Sequence, residues 1–124
     1  MFVEKRAGKL SNLQTALLDG TPSAAVGLAH TRWATHGRPN DLNAHPHQDC
    51  TGQITVIHNG IIENFKALRD GLKERGHKLK SDTDTEALAH LIEEAYDGDI
   101  ADATRAALNQ AHGAYAVAVM HAVL

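Results

Sequence analysis

Three short polar stretches of this chain contain residue types that bind charged ligands or stabilise charge during a reaction. HTRWATHG at residues 30–37 combines an arginine, a tryptophan and two histidines, HNG stands at 58–60, and SDTDTE at 81–86. Each stretch follows or precedes a strongly apolar segment. Polar residues at the ends of strands and helices are where layered folds carry their binding sites. This placement is therefore typical of a functional site.

Arg32 and Asp84 are the charged residues of these stretches that could bind a charged ligand. The planar guanidinium of Arg32 matches a carboxylate in bidentate geometry, and the carboxylate of Asp84 could bind an ammonium group. Each residue also has a structural alternative. Arg32 could pair with Asp41 or Glu63, and Asp84 lies in the first turn of a predicted helix, where the helix dipole favours a negative charge. The residues alone leave both interpretations open.

Asn59 and Gly60 follow a predicted strand and also have two interpretations. An Asn-Gly pair most often forms a turn, because both residues tolerate positive φ. Alternatively, the asparagine NH2 and the glycine N–H could form an oxyanion hole, where the missing side chain of glycine allows close approach of a substrate.

Nine histidines and one cysteine raise two further hypotheses. A metal-dependent hydrolase would use His36, His45 and His47, but the chain has no His-Glu-x-x-His motif and no paired cysteines. We expect Pro46 to place the histidines that flank it on opposite sides of an extended segment, and we predict no metal. Cys50 could be a nucleophile with His47 as base, but no predicted helix N-terminus lies beside it to lower its pKa, which favours an inert thiol.

Strands and helices must position these residues, and their predicted order along the chain indicates a mixed α and β fold. In such a fold a layered sheet is covered by helices. Hydrophobic patterning predicts strands over residues 2–6, 24–29, 53–58 and 115–123. Helices are predicted after an N-cap at Ser11, from Asn64 to a Gly76 C-cap, after a capping box at residues 83–86, and over residues 100–110. Residues 37–52 form a long predicted loop, and the last strand, apolar on both faces, is expected to be central.

Length and composition predict a single soluble domain over residues 1–124. Hydrophobic residues make up 43% and charged residues 22% of the chain, as in globular proteins, and the net charge of -3 disfavours nucleic acid as a partner. No secretory signal is recognisable, and the longest apolar run, 114–124, is too short for a membrane helix. We therefore expect no membrane association and a cytoplasmic location.

Four motifs in a fixed order resemble the glutaminase domains of class II glutamine amidotransferases. Within that family they resemble the glucosamine-6-phosphate synthase branch, also called glutamine-fructose-6-phosphate transaminase (isomerising). Trp33 and His36-Gly37 favour this branch, since amidophosphoribosyltransferase-like sequences tend to have Arg-Tyr-Ser-Thr where this chain has Arg-Trp-Ala-Thr. The resemblance extends from about Val3 to Met120. The motifs are HTRWATHG at 30–37, NAHPH at 43–47, HNGIIEN at 58–64 and SDTDTE at 81–86.

The resemblance implies an α+β fold that is part of the four-layer αββα sandwich of N-terminal-nucleophile hydrolases. It also implies that Arg32 binds the α-carboxylate of L-glutamine and Asp84 its α-ammonium group. Asn59 and Gly60 are implied to form the oxyanion hole. The substrate-binding residues that it implies are Arg32, Trp33, Thr35, His36 and Asp84.

The activity implied is release of ammonia from glutamine for transfer to fructose-6-phosphate, without a cofactor. Members of the family begin with a nucleophilic cysteine whose own α-amino group is the base, whereas this chain begins Met1-Phe2-Val3. We therefore expect an internal fragment that lacks the nucleophile strand and the sugar-phosphate isomerase domains, is inactive alone, and self-associates through exposed sheet edges. The alternative is a non-catalytic glutamine-binding or regulatory module.

Overall fold

A three-stranded antiparallel sheet and helices packed on it form the core of the fold. The computed structural model describes residues 1–34 and 36–122. Their mixed content confirms the predicted α+β class, and none of the described helices is long and apolar enough to cross a membrane. The elements are α1 (Leu10–Ala16), β1 (His47–Gln48), β2 (Ile54–Gly60), α2 (Phe65–Glu74), α3 (Asp84–Ala95), α4 (Ile100–Leu108) and β3 (Tyr115–His121).

Strand β2 is the middle strand of this sheet. Its Val56 pairs with His47 of β1, and its whole length pairs with β3, from Ile54 opposite His121 to Gly60 opposite Tyr115. The prediction of a strand over 53–58 is confirmed, with an extension to Gly60. The prediction that the last strand is central is wrong within the described sheet, because β3 lies at its edge and most of its residues are half-buried.

Helix α3 is the centre of the core. It packs on β1 and β2, and α2 and α4 contact it from the sides. Its residues 84–92 are all buried, so nearly the whole circumference of this helix is covered by neighbouring elements. The large apolar side chains that are fully buried around it are Val56, Ile62, Leu72, Leu88, Leu91 and Ile92.

The start of α3 is fixed by a cap that the sequence predicts in part. The hydroxyl of Thr83 accepts a hydrogen bond from the amide of Glu86 at 3.3 Å, as a capping box requires. The carboxylate of Glu86 does not return the bond to the Thr83 amide. Instead it accepts hydrogen bonds from the amides of Lys80 and Ser81, at 2.8 and 2.6 Å. The end of α2 is as predicted, with Gly76 in the left-handed region at φ +92°.

The first third of the chain differs from its predictions. Residues 2–6 and 24–29 form no strand, and most of the apolar run 24–29 is exposed. A strand must pair its backbone groups with a neighbour, but β1 and β3 already flank β2 on both sides, and no described strand pairs with either run. Ser11 lies inside α1 rather than at its N-cap, which is Lys9 and makes no side-chain capping bond.

Candidate functional site

A cavity of about 360 Å³, lined mostly by polar and charged residue types, lies where β2 ends and α3 begins. It brings together residues from all three polar stretches singled out in the sequence. Five of the seven predicted site residues contribute to it, together with three histidines, Ile61 and Thr85. The lining residues are His30, Arg32, Trp33, His45, His58, Asn59, Gly60, Ile61, Asp84 and Thr85.

The guanidinium of Arg32 is held by backbone carbonyl groups. It donates hydrogen bonds to the carbonyl oxygens of residues 36–38, with distances of 3.2 Å to two of them. Within the described residues it makes no ion pair with Asp41 or Glu63, so the structural alternative for this residue is wrong. Burial lowers the pKa of the guanidinium, and the negative charge of Asp84 opposes this shift. Arg32 thus presents a fixed positive charge that no described carboxylate neutralises by direct contact.

Asp84 supplies a charge of the opposite sign in the lining of the same cavity. It is the first residue of α3 and only 3% exposed. One of its carboxylate oxygens accepts a hydrogen bond from the amide of Ile62 at 2.9 Å, which ties the helix start to the segment after β2. Asp84 is therefore placed both at the start of α3, where the helix dipole favours its negative charge, and in the cavity lining. The two interpretations of this residue are compatible.

Three histidines lie together at the cavity: the ring of His30 stacks on that of His45, and the hydroxyl group of Thr85 links His45 to His58. The ring of His45 stacks on that of His30 at a centroid distance of 4.1 Å. His45 Nδ1 accepts from the amide of His58 at 3.4 Å, so His45 carries its proton on Nε2, which lies 3.3 Å from Thr85 Oγ1. The Thr85 hydroxyl then donates to His58 Nδ1 at 2.8 Å. Burial lowers the pKa of His45 to about 2 and also lowers that of His58.

Two ring nitrogens of these histidines have no partner in the described residues. His30 donates from Nε2 to the side-chain oxygen of Asn59 at 2.7 Å, which leaves His30 Nδ1 as a buried acceptor without a partner. The relay through Thr85 leaves the proton of His58 on Nε2, a buried donor that is also unpartnered. Buried polar atoms are rarely left unsatisfied in proteins. Both atoms have almost no accessible surface, so they are unsatisfied polar atoms beside the cavity rather than groups that it presents to a ligand.

Asn59 and Gly60 lie in β2 and pair with β3, so the interpretation of this pair as a turn is wrong. Gly60 has φ +122°, and a Cβ atom there would lie 2.4 Å from the carbonyl oxygen of Ala114. Only glycine fits this backbone approach. Because the Asn59 oxygen is occupied by His30, the amide NH2 is the group that remains for a ligand.

The remaining predicted binding residues differ in their positions. Trp33 lines the cavity but its side chain is 90% exposed. His36 does not line it; its ring packs against Phe65 at 4.0 Å, and only its carbonyl oxygen takes part, as an acceptor for Arg32. Thr35 lies outside the described residues.

The three candidate ligands of a metal-dependent hydrolase are not brought together. His36 lies apart from the other two, and the expected separation of His45 and His47 by Pro46 is wrong. Both histidines are buried, with ring centroids 5.1 Å apart, because alternate residues of an extended segment share one face. Asn43, His45, His47 and Asp49 are all buried. This alternation of polar residues is the signal in the sequence that identifies the inward face.

Cys50 contacts histidines other than the one proposed as its base. Its sulfur lies 3.5 Å from His77 Nδ1 and 3.4 Å from His90 Nδ1, and within the described residues it makes no contact with His47. Partial burial raises the pKa of the thiol, and the carboxylate of Glu93 adds to this shift. A raised pKa reduces the thiolate fraction, so the nucleophile hypothesis has no support here.

Residues 30–123 match the sequence profile of a family described as "Glutamine amidotransferase domain". Curated relatives named glutamine–fructose-6-phosphate aminotransferase [isomerizing] are also similar. The chain is 52% identical to that of Thermotoga maritima over 120 residues, which is 96% of this chain and 20% of the relative. It is 55% identical to that of Thermus thermophilus over 119 residues, which again cover 96% of this chain and 20% of the relative. The chain spans about a fifth of the length of the curated relatives it matches.

Two solved structures share the fold over three quarters of the chain. One is glutamine phosphoribosylpyrophosphate amidotransferase from B. subtilis, complexed with ADP and GMP, with a TM-score of 0.62 and 28% identity over 75% of this chain and 20% of that chain. The other is titled as the allosteric regulatory enzyme of purine biosynthesis, with a TM-score of 0.63, 29% identity, and coverage of 75% and 21%. Both support the α+β class.

Proposed function

This chain belongs to the glutamine amidotransferase domain family, and from that membership we propose that its cavity binds L-glutamine. The glutamine releases ammonia, and fructose-6-phosphate accepts it to give glucosamine-6-phosphate. The acceptor is taken from the names of the curated relatives, because no described residue is assigned to a sugar phosphate.

The observation that carries this proposal is the presence of Arg32 and Asp84 in one cavity. An α-amino acid has one carboxylate and one ammonium group, and a guanidinium and a carboxylate in one cavity are the pair of charges that a zwitterion needs. The guanidinium of Arg32 has five N–H donors, so it can bind a ligand carboxylate while some of these donors remain bonded to backbone carbonyl groups. Trp33, Thr35 and His36 complete this pocket in the proposal.

Asn59 and Gly60 are proposed to stabilise the oxygen of the glutamine carboxamide during hydrolysis. When a nucleophile attacks the carboxamide carbon, negative charge develops on that oxygen, and preorganised N–H donors lower the energy of this state. The free NH2 of Asn59 and the missing side chain of Gly60 suit this role. The resemblance implies an N-terminal cysteine as nucleophile, and Cys50 lies outside the cavity.

Three further expectations belong to the same proposal. Sugar-phosphate isomerase domains are the partner that would use the ammonia, the chain associates with copies of itself, and its location is cytoplasmic. The assignment of residues 1–124 to a single partial glutaminase domain stays a prediction.

The proposal is tested by calorimetric titration of the chain with L-glutamine and L-glutamate. We predict that Arg32→Ala weakens binding by about 2 to 5 kcal/mol, because it leaves the ligand carboxylate without its partner. The matched control is Arg38→Ala, an exposed arginine whose side chain makes no described contact. Equal affinities for the two variants would remove Arg32 from the site. Binding without hydrolysis, in a form that begins with the nucleophilic cysteine, would favour the non-catalytic module.

A further inference from the structure

Four side chains outside the cavity bring potential metal-donor atoms together. Cys50 lies in the turn before β2, His77 follows α2, and His90 and Glu93 lie one turn apart on α3. The donor atoms are one sulfur, two Nδ1 nitrogens and one carboxylate oxygen, and all lie within 4.8 Å of one another. Sulfur, imidazole and carboxylate ligands are the set that zinc binds in proteins.

Five of the six separations between these atoms are close to the edges of a tetrahedral zinc site, and the sixth, between the Cys50 sulfur and the Glu93 oxygen, is at most 4.8 Å. Cys50 Sγ lies 3.5 and 3.4 Å from the two Nδ1 atoms, which are 3.2 Å from each other. Glu93 Oε2 lies 3.2 Å from His77 Nδ1 and 3.3 Å from His90 Nδ1. With nitrogen and oxygen at about 2.0–2.1 Å and sulfur at about 2.3 Å, a tetrahedral zinc ion separates its ligand atoms by about 3.3 to 3.6 Å.

The outer nitrogen of each histidine meets a second carboxylate. His90 Nε2 lies 3.2 Å from Glu86, and His77 Nε2 lies 3.5 Å from Glu94. Glu94 is itself held by Arg75 through two contacts of 2.7 and 2.9 Å. Histidines that bind a metal almost always donate their other N–H to such a partner, which fixes the ring and its tautomer. These contacts are a second observation, independent of the four donor atoms.

When no metal is bound, protons can fill the same contacts. A His90 ring that carries protons on both nitrogens donates to Glu93 and Glu86, and the thiol of Cys50 donates to His77 Nδ1. A bound zinc ion takes the place of the protons on Cys50 and on His90 Nδ1.

We propose that Cys50, His77, His90 and Glu93 form a structural zinc site. One thiolate and one carboxylate balance the charge of Zn²⁺, and the displaced protons pass to solvent on binding. Because all four ligands come from the protein, the ion has no open position for catalysis. It joins the turn before β2 and the segment after α2 to the middle of α3. The exposed position of Cys50 gives the ion access from solvent.

Metal binding is measured on the full chain after treatment with EDTA under reducing conditions. We expect one equivalent of Zn²⁺ by competition with a chromophoric chelator. Co²⁺, used as a spectroscopic probe, should give a thiolate-to-cobalt charge-transfer band and the intense visible bands of four-coordinate cobalt. Binding of zinc should also raise the melting temperature, since the ion binds the folded state selectively.

Variants separate this site from adventitious binding to other histidines. Cys50→Ser should abolish the charge-transfer band and weaken Zn²⁺ at least about 100-fold, and Glu94→Gln should retain the band and weaken binding about 10- to 100-fold. The control His112→Asn changes an exposed histidine outside the cluster and should alter neither. If Cys50→Ser fails to fold by circular dichroism, His77→Asn takes its place.

Two results would overturn the site. The first is Zn²⁺ affinity that is equal in the unchanged chain and in the ligand variant that folds. The second is a weakly absorbing, six-coordinate cobalt spectrum. The zinc site does not depend on the proposed glutamine binding, so either proposal can fail alone.

Discussion

Single residues at the cavity show how burial keeps imidazole rings uncharged. His45 has its pKa lowered to about 2 by burial, with further contributions from His47, His30, His58 and Arg32, in that order. The pKa of His47 is lowered to about 3, again mainly by burial. A neutral imidazole has one donor and one acceptor nitrogen, so two neutral rings can be linked through a hydroxyl group. Charged imidazoles have donors only and could not be linked in this way. Close stacking of these rings therefore requires that they stay unprotonated.

This requirement predicts a loss of stability in mild acid. Both folded pKa values lie below the unfolded value of about 6.5, so the unfolded chain binds more protons and the free energy of unfolding falls as pH falls below about 6.5. Each histidine contributes up to about 1.4 kcal/mol per pH unit in this window. The pKa of Glu86 is also lowered, to about 2, but this shift changes the free energy of unfolding only below pH 4.5, the ordinary pKa of a glutamate. Between pH 6.5 and 4.5, the change in the free energy of unfolding with pH therefore comes from the histidines.

Urea unfolding at several pH values in that window checks this prediction. His45→Asn should reduce the slope of unfolding free energy against pH, and the exposed His112→Asn should leave it unchanged. A slope that is the same in His45→Asn as in the unchanged chain would contradict the neutral state of this ring.

The secondary-structure elements show which parts of the fold local sequence can predict. The sequence predicts helices α2, α3 and α4 and strands β2 and β3 near their observed positions, because caps, glycines and hydrophobic periodicity act within a few residues. The runs 2–6 and 24–29 have equally good strand patterns, but a strand also needs a partner, which local sequence does not encode.

The candidate site can be predicted from sequence to a similar extent. Specific motifs identify Arg32, Asn59, Gly60 and Asp84, and the structure places them in one cavity. The sequence does not reveal the contribution of Thr85, since it depends on contacts between residues about 27 and 40 positions apart in the chain. Likewise, the Cys50 cluster joins three segments whose approach is decided by packing on α3.

Helix α3 connects the capping of its first turn to the position of Asp84. We predict that Thr83→Ala lowers the free energy of unfolding by about 1 to 2 kcal/mol, because the hydroxyl that caps the Glu86 amide is lost. The same hydroxyl contacts His47 Nε2 at 3.1 Å, so the variant also loosens the segment beside the cavity. Thr83→Ser keeps the hydroxyl and is the matched control.

Chemical denaturation and glutamine titration of both variants measure this effect. Thr83→Ala should lose stability and some glutamine affinity together, whereas Thr83→Ser should stay close to the unchanged chain. An equal loss in both variants would mean that the methyl group, not the hydroxyl, stabilises the start of α3.

On the scale of the whole molecule, the exposed apolar residues are concentrated in the first third of the chain, and the sheet has an open edge at β3. Phe2, Leu10, Leu18 and Val26 are between 51% and 81% exposed, and β3 has no described strand on its outer side. Exposed apolar groups and open sheet edges favour association with another polypeptide.

We therefore predict that the isolated chain self-associates, and that Val26→Lys reduces this association by placing a charge in the apolar run 24–29. Sedimentation velocity over a range of concentrations measures it. The control Ala101→Lys introduces the same charge at an exposed position of α4. A chain that sediments as a monomer at all concentrations would contradict the prediction, and equal effects of the two substitutions would assign it to net charge alone.

The alternation of buried polar residues in the segment 43–49 determines where insertions and deletions can be tolerated in related sequences. Asn43 accepts from the Asp82 amide at 2.8 Å, and His45 and His47 contact the hydroxyl groups that begin α3. Inserting or deleting one residue within 43–49 would shift the alternation on one side of the change, so that part of these buried groups would face outward. Homologous domains should therefore keep a constant length here, while the turn before β2, where Gly52 has open space around it, can accept insertions.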